Sequence, residues 1–361
     1  ASPAEGLLPW LENYTFPHEK RFSTPDYAAD VASFFIAELL RNGVTTALTF
    51  ATSHPTSVHA LFTEAQKHHM RLITGKVLQD RHSPDGVRDE TEQSLVDTET
   101  LIQQWHGVDR LGYAITPRFA PTSTPAQLRG AGELAAKYPE VWVQSHVAEN
   151  LGEIAWAREL FPESASYLAT YADFGLMRKR AVYAHCIHFD DSDRALMRES
   201  GAVAAISPTS NLFLGSGFFD YAGADRIGFG YGLASDVGGG TSLSMLRTLA
   251  DGYKVQAMAG NRLTAWALLH AATRGAAQAL RDQHADLARG RAVAAMADAH
   301  HGLVGAARGG LALLQCDVRL CGQGNAEAGR QGQQGSGRHE RFPCKRVGTG
   351  GRPGHEARGH A

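Results

Sequence analysis

The chain has 361 residues, 43% of them hydrophobic and 20% charged, with a formal net charge of −2 at pH 7. That length holds one large α/β domain or two ordinary ones, and the balance excludes a wholly disordered chain. A near-neutral charge argues against nucleic-acid binding, which needs a basic face, and no apolar run approaches the ~20 residues that cross a bilayer. A soluble protein without nucleic-acid or membrane partners is therefore expected.

The N-terminal residues, ASPAEGLLPW, lack the basic-then-apolar layout of a signal peptide and do not begin with Met, which we read as a late start. Short apolar runs that predict strands then follow at 45–50, 71–77, 111–116, 141–146, 181–185, 202–207 and 227–236. Amphipathic stretches that predict helices fall at 26–40, 58–69, 91–104, 125–137, 152–160 and 191–199. Strand–helix alternation predicts a parallel sheet with helical crossovers, and continuous apolarity in the strands predicts cover on both faces.

Two architectures remain, an open doubly wound sheet and a closed (β/α)8 TIM-type barrel. Nearly every strand ends in polar groups: Thr52-Ser-His54, Asp80-Arg81, Arg118-Phe119, His146, His185, Ser207 and Asp236. A barrel gathers all those ends at one mouth, whereas an open sheet concentrates chemistry at one switch point, usually beside a glycine-rich turn. No G-x-G-x-x-G follows an early strand, so the barrel is preferred. Seven strands leave it one short, and the first strand is expected before Ala1. Residues 1–280 are then the barrel, strands 2–8.

Composition shifts after residue 280. The last 81 residues hold 16 of the 39 glycines, and from Cys321 onward the only large apolar residues are Phe342 and Val347. Such a segment cannot bury enough surface to offset the entropy of ordering it. We expect 281–361 to be a low-complexity Gly/Arg/Gln-rich tail, disordered, and the product of a reading-frame shift. Only Cys186 of four cysteines precedes the tail, which fits a reducing cytoplasm, and the Cys316–Cys321 pair lacks a partner pair for a metal site.

Four strand-end residues carry the chemistry. His146 is followed three positions later by Glu149, His185 ends the next strand, and Asp236 precedes Val-Gly-Gly-Gly. Imidazole and carboxylate suit Zn²⁺, and Glu149, one short loop beyond His146, is placed to move protons between a metal-bound water and substrate. Taken singly, a strand-end His is more often a hydrogen-bonded core residue and an Asp before glycines a helix cap. Their grouping on neighbouring strand ends favours a site. His68 and His69 are read as solvent-facing helix residues, His188 as a rim residue and Cys186 as buried strand.

At these residues the chain resembles the guanine deaminases of the amidohydrolase superfamily. The matching segments are Leu8-Pro-Trp-Leu-Glu-Asn-Tyr-Thr-Phe-Pro17, Thr116-Pro-Arg-Phe119, Gln144-Ser-His-Val-Ala-Glu-Asn150, Ser207-Pro-Thr-Ser-Asn211 and Ser235-Asp-Val-Gly-Gly239. The resemblance implies hydrolysis of guanine to xanthine and ammonia, one zinc per subunit, and a homodimer. It implies His146 and Asp236 as zinc ligands, and both as part of the substrate-binding set with Glu149. Asp236 would also deprotonate the attacking water, Glu149 would protonate a ring nitrogen, and His185 would orient the water. Arg118 would hydrogen-bond the purine and Phe119 would wall its pocket. A guanidinium fork suits a purine's acceptors, although a rim Arg also pairs readily with a carboxylate.

Relatives carry a His-x-His pair on the first barrel strand, and none occurs here upstream of Tyr14-Thr-Phe-Pro17. Their small β-sandwich, built from residues flanking the barrel, is expected to be absent or incomplete. The alternatives are a non-catalytic fragment of such an enzyme, or a related amidohydrolase that deaminates another nucleobase or a triazine.

Overall fold

In a computed structural model of the protein, the structure describes residues 6–280 together with the backbone of a strand at Ala294–Asp298. The strands are β1 (Thr46–Phe50), β2 (Arg71–Gly75), β3 (Val77–Leu78), β4 (Leu111–Pro117), β5 (Trp142–Val147), β6 (Ala181–His185), β7 (Val203–Ile206), β8 (Gly230–Leu233) and β9 (Ala294–Asp298). They form one curled parallel sheet in the order β8-β7-β6-β5-β4-β2-β1-β9, with β3 continuing β2 alongside β4. This is a partial (β/α)8 barrel of the expected class, and no second β-layer stands beside it among the described residues.

Alternation along each strand builds two cores. On β6, Ala181 and Tyr183 face the surrounding helices, while Val182 and Ala184 face the inside of the sheet. The inner layer adds Leu48 and Phe50 from β1, Ile73 from β2, Ala114 from β4 and Ala205 from β7. A period of two makes this inevitable once both faces are covered. Each Leu, Ile, Val or Phe of this layer contributes about 1.5–3 kcal/mol on burial.

The helices fall close to expectation, and the exceptions have local causes. The predicted strand over 227–236 is shorter, because Ile227 ends a helix, Tyr221–Ile227, that Gly228 closes in the left-handed region at φ 84°. The predicted strand over 71–77 is broken between β2 and β3. The Lys76 amide donates to the Tyr113 hydroxyl at 3.1 Å and its ammonium pairs with buried Asp89 at 2.6 Å, outside the ladder. The helix Pro55–Lys67 stops before the two histidines, so His68 is its cap and His69 sits in left-handed backbone at φ 49°; both side chains are solvent-facing.

The segment 7–19, given no helix in the sequence reading, coils through three short helical pieces. Leu7, Trp10, Leu11 and Phe16 pack there with Phe119 and Leu214 at the mouth of the barrel. At the other limit of the domain, β9 runs parallel to β1 with Thr46 opposite Ala294 and Phe50 opposite Asp298. It covers the edge on which the sequence reading had a missing strand, where unpaired backbone groups would otherwise invite pairing. The rest of the expected tail, with Cys316, Cys321 and the proposed frameshift product, lies outside the described residues.

Candidate active site

Parallel strands deliver their carboxyl ends to one rim, and the β5–β6 register sets His146 level with Ala184 and Val147 level with His185. The His146 Nδ1 lies 2.7 Å from the Arg118 carbonyl oxygen. A carbonyl only accepts, so Nδ1 carries a proton and points its bond at Arg118, which leaves Nε2 as the ring's other nitrogen. The His146 ring stacks on His185 at 5.6 Å between centroids, and Phe50 packs on it at 4.2 Å.

Four non-glycine residues at this rim hold left-handed backbone: Ala148 (φ 51°), His185 (φ 70°), Cys186 (φ 52°) and Asp236 (φ 46°). Such conformations are costly and collect at functional sites, where the surroundings over-determine them. At Ala148 the turn brings Glu149 inward to 2% exposure. Its Oε1 accepts the Ser216 hydroxyl at 2.8 Å, and its Oε2 lies 3.3 Å from the His185 Nε2. Burial raises the Glu149 pKa and Asp236 adds to the rise, against the lowering effect of His185.

His185 is equally buried. Its Nδ1 is 2.9 Å from the Asn211 amide oxygen, and its Nε2 is 3.9 Å from Asp236 as well as facing Glu149. Burial opposes charge on the ring, but the two carboxylates and the Asn211 acceptor outweigh it and raise the pKa. Both nitrogens face acceptors, which is the setting of an imidazolium. Asp236 lies past β8, where the Gly240 amide donates to its carbonyl oxygen. Gly239 is small by necessity there, since a Cβ would stand 2.6 Å from the Ser210 hydroxyl.

Arg118 leaves the end of β4 and is 3% exposed. Its Nη1 donates to both carboxylate oxygens of Glu19 at 2.8 and 3.0 Å, with Gln79 Oε1 at 3.4 Å. The carboxylate pairing weighed for a rim Arg is thus present, yet Arg118 also lines the cavity. Phe119 is buried beside it and meets Trp156 edge-on at 6.1 Å. All six expected residues, Arg118, Phe119, His146, Glu149, His185 and Asp236, line one cavity that Trp10 and Leu11 help to close. His188 lies apart from it, bonded to the Ser216 carbonyl at 3.0 Å, and Cys186 is buried.

Several site residues escaped the sequence reading. Glu19, Gln79, Asn211 and Ser216 touch the expected ones only through tertiary contacts. Glu153 had a readable signal, because Asn150-x-x-Glu153 has the spacing of a capping box. The structure forms that box, and Glu153 Oε2 accepts the backbone amides of Glu149 and Asn150 at 3.2 Å each. Burial, reinforced by the Glu149 charge, pushes the Glu153 pKa up to about 7. As donors for a metal, His146 and Asp236 are of the right chemistry, but among the described residues no group of three His, Cys, Asp or Glu is gathered to hold an ion.

The chain is 46% identical over 276 residues to a guanine deaminase of Escherichia coli K12, covering 76% of this chain and 63% of that one. The solved E. coli guanine deaminase superposes with a TM-score of 0.77 at 45% identity, covering 78% of this chain and 65% of that one. A guanine deaminase from C. acetobutylicum, solved with guanine in its active site, superposes with a TM-score of 0.74 at 33% identity, covering 76% of this chain and 68% of that one. The chain thus spans a little under two thirds of the length of the E. coli relative. The Amidohydrolase family profile matches residues 3–285, which includes every element of the cavity just described, and the chain belongs to that family.

Proposed function

We propose that the chain forms the barrel of a guanine deaminase, which replaces the exocyclic amine of guanine with a water-derived oxygen and yields xanthine and ammonia. The observation that carries the reading is the Glu149 carboxyl, buried between the Ser216 hydroxyl and His185 in a cavity that Arg118 and Phe119 also line. The likeness to the E. coli and C. acetobutylicum guanine deaminases supports it.

Each residue has a part that its surroundings suit. Glu149, whose pKa burial raises, hands a proton to a ring nitrogen and then assists the departing amine. His185, held between Glu149, Asp236 and Asn211, orients the attacking water. Asp236 accepts a proton from that water. Arg118 offers its planar donors to the purine, and Phe119 walls the ring.

One Zn²⁺ per subunit belongs to the same proposal, with His146 and Asp236 as ligands. When bound, the ion supplies acidity to water. Among the described residues two donors fall short of the three or four such a centre takes, and no step above is routed through the ion. A cytoplasmic homodimer is part of the same reading. No described helix is long and apolar enough to cross a membrane.

The incomplete donor set favours one second reading, a barrel that binds a purine without turning it over. Ammonia release from guanine, adenine, cytosine and 8-oxoguanine, measured together with bound zinc by mass spectrometry, separates the two. Release from guanine, and far less from the others, is expected. Guanine binding without ammonia in zinc-loaded protein overturns the catalytic reading, and preferred turnover of another base overturns the substrate.

A further inference from the structure

We propose that Glu19 is a positioning and selectivity residue, which aims Arg118 and cancels its charge so that the cavity prefers a neutral purine to an anionic one. The inference rests on the guanine reading and extends it to how product is told from substrate.

Glu19 lies 99 residues before Arg118 and is fully buried. Both of its carboxylate oxygens accept from the single Nη1 nitrogen, and Gln79 Oε1 approaches that nitrogen too. Phe16, on the same turn as Glu19, lies 5.2 Å from the guanidinium carbon. Among the described residues the guanidinium bonds protein through Nη1 alone, so the Nη2–Nε side is the one offered to a ligand. A planar fork pinned along one edge and packed on one face has little freedom left, and its remaining donors are pre-aimed.

The charge matters as much as the aim. A buried ion pair is a weak device for stability, since desolvating both partners offsets much of their attraction. Beside a binding cavity it does something an apolar pair cannot: it presents hydrogen-bond donors without a net positive charge. A neutral purine with carbonyl and ring-nitrogen acceptors gains the donors. A purine anion gains them too, but meets the Glu19 carboxylate behind the guanidinium. Guanine stays neutral in mildly alkaline solution, whereas xanthine, the more acidic base, sheds a proton there. The Arg118–Glu19 pair therefore works against retention of xanthine.

The test is binding, which is readable without turnover because Trp10 lines the same cavity and its fluorescence reports occupancy. Guanine and xanthine are titrated in mildly alkaline buffer into the full chain, Glu19→Gln and Glu19→Asp. Gln keeps an acceptor for Nη1 and removes the charge; Asp keeps the charge and shortens the reach. Glu19→Gln is expected to shift the xanthine-to-guanine affinity ratio toward xanthine by about tenfold, on the scale of removing one nearby like charge. Glu19→Asp is expected to weaken both ligands while leaving that ratio unchanged. A ratio unchanged in Glu19→Gln overturns the proposal, as does an equal shift in both variants. If Glu19→Gln does not fold, a ratio shifted toward xanthine in Glu19→Asp overturns it alone. A wild-type chain that binds neither purine removes the guanine reading itself, and this inference with it.

Discussion

The two ends of the same sheet are built on opposite terms. Toward the amino ends of the strands the inner layer is apolar, with Ile73, Trp142, Val182 and Val203 clustered with Leu280. At the carboxyl ends the side chains are Arg118, His146, His185 and Asp236, backed by buried Glu19, Glu149 and Glu153. The first end is assembled from residues that water rejects. The second confines ionisable groups that water would otherwise solvate, on backbone that includes four left-handed non-glycine residues. The difference teaches where stability is made and where it is given up: the apolar layer offsets the cost of holding charge and strain at the rim.

Substitutions can break that comparison. The largest effect is expected at the rim, in rate and not in stability. Glu149→Gln keeps size and hydrogen bonding but cannot exchange a proton, and should lower kcat for guanine by roughly 10²–10⁴-fold with little change in melting temperature. A variant that turns over at the wild-type rate takes the proton shuttle away from Glu149.

At the other end the order reverses. Ile73→Ala deletes fully buried inner-layer volume and should cost about 2–5 kcal/mol in urea unfolding, with guanine affinity unchanged in the folded protein. If affinity falls in step with stability, the two ends are not separable. The smallest effect concerns Glu153, which belongs to both. Its carboxyl titrates near the ordinary 4.5 when unfolded and at about 7 when folded. Below the lower value both states are protonated and pH has no effect through this group. As pH rises between the two values the unfolded chain releases its proton first, so folded stability falls, by up to about 3 kcal/mol, and levels off above the upper value. Glu153→Gln, which still accepts the Glu149 and Asn150 amides, should flatten that part of the melting profile. Identical slopes in the two proteins would place the Glu153 titration elsewhere.

Much of this was legible beforehand. Short continuous apolar runs and their intervening amphipathic stretches determined the alternation of strand and helix, because burying both faces of a parallel sheet leaves such runs no other home. Polar residues at successive strand ends determined which rim holds the cavity, since strand direction alone sends them there. Residues 141–146 and 181–185 are good examples, each a run that ends at the mouth with His146 or His185. Less legible were boundaries that depend on one residue, as where Gly228 shortens β8 and Lys76 splits β2 from β3.

What only the tertiary structure decided is who stands behind each cavity residue. Nothing local couples Glu19 to Arg118, Asn211 to His185 or Ser216 to Glu149, because long-range pairing leaves no periodic trace in a single chain. The left-handed turns at Ala148, His185 and Asp236 were equally hidden, being imposed by packing against the preference of those residues. Nor could composition alone show that Ala294–Asp298 lies along β1; a sheet edge accepts a strand for its backbone, and backbone hydrogen bonds have no side-chain signature.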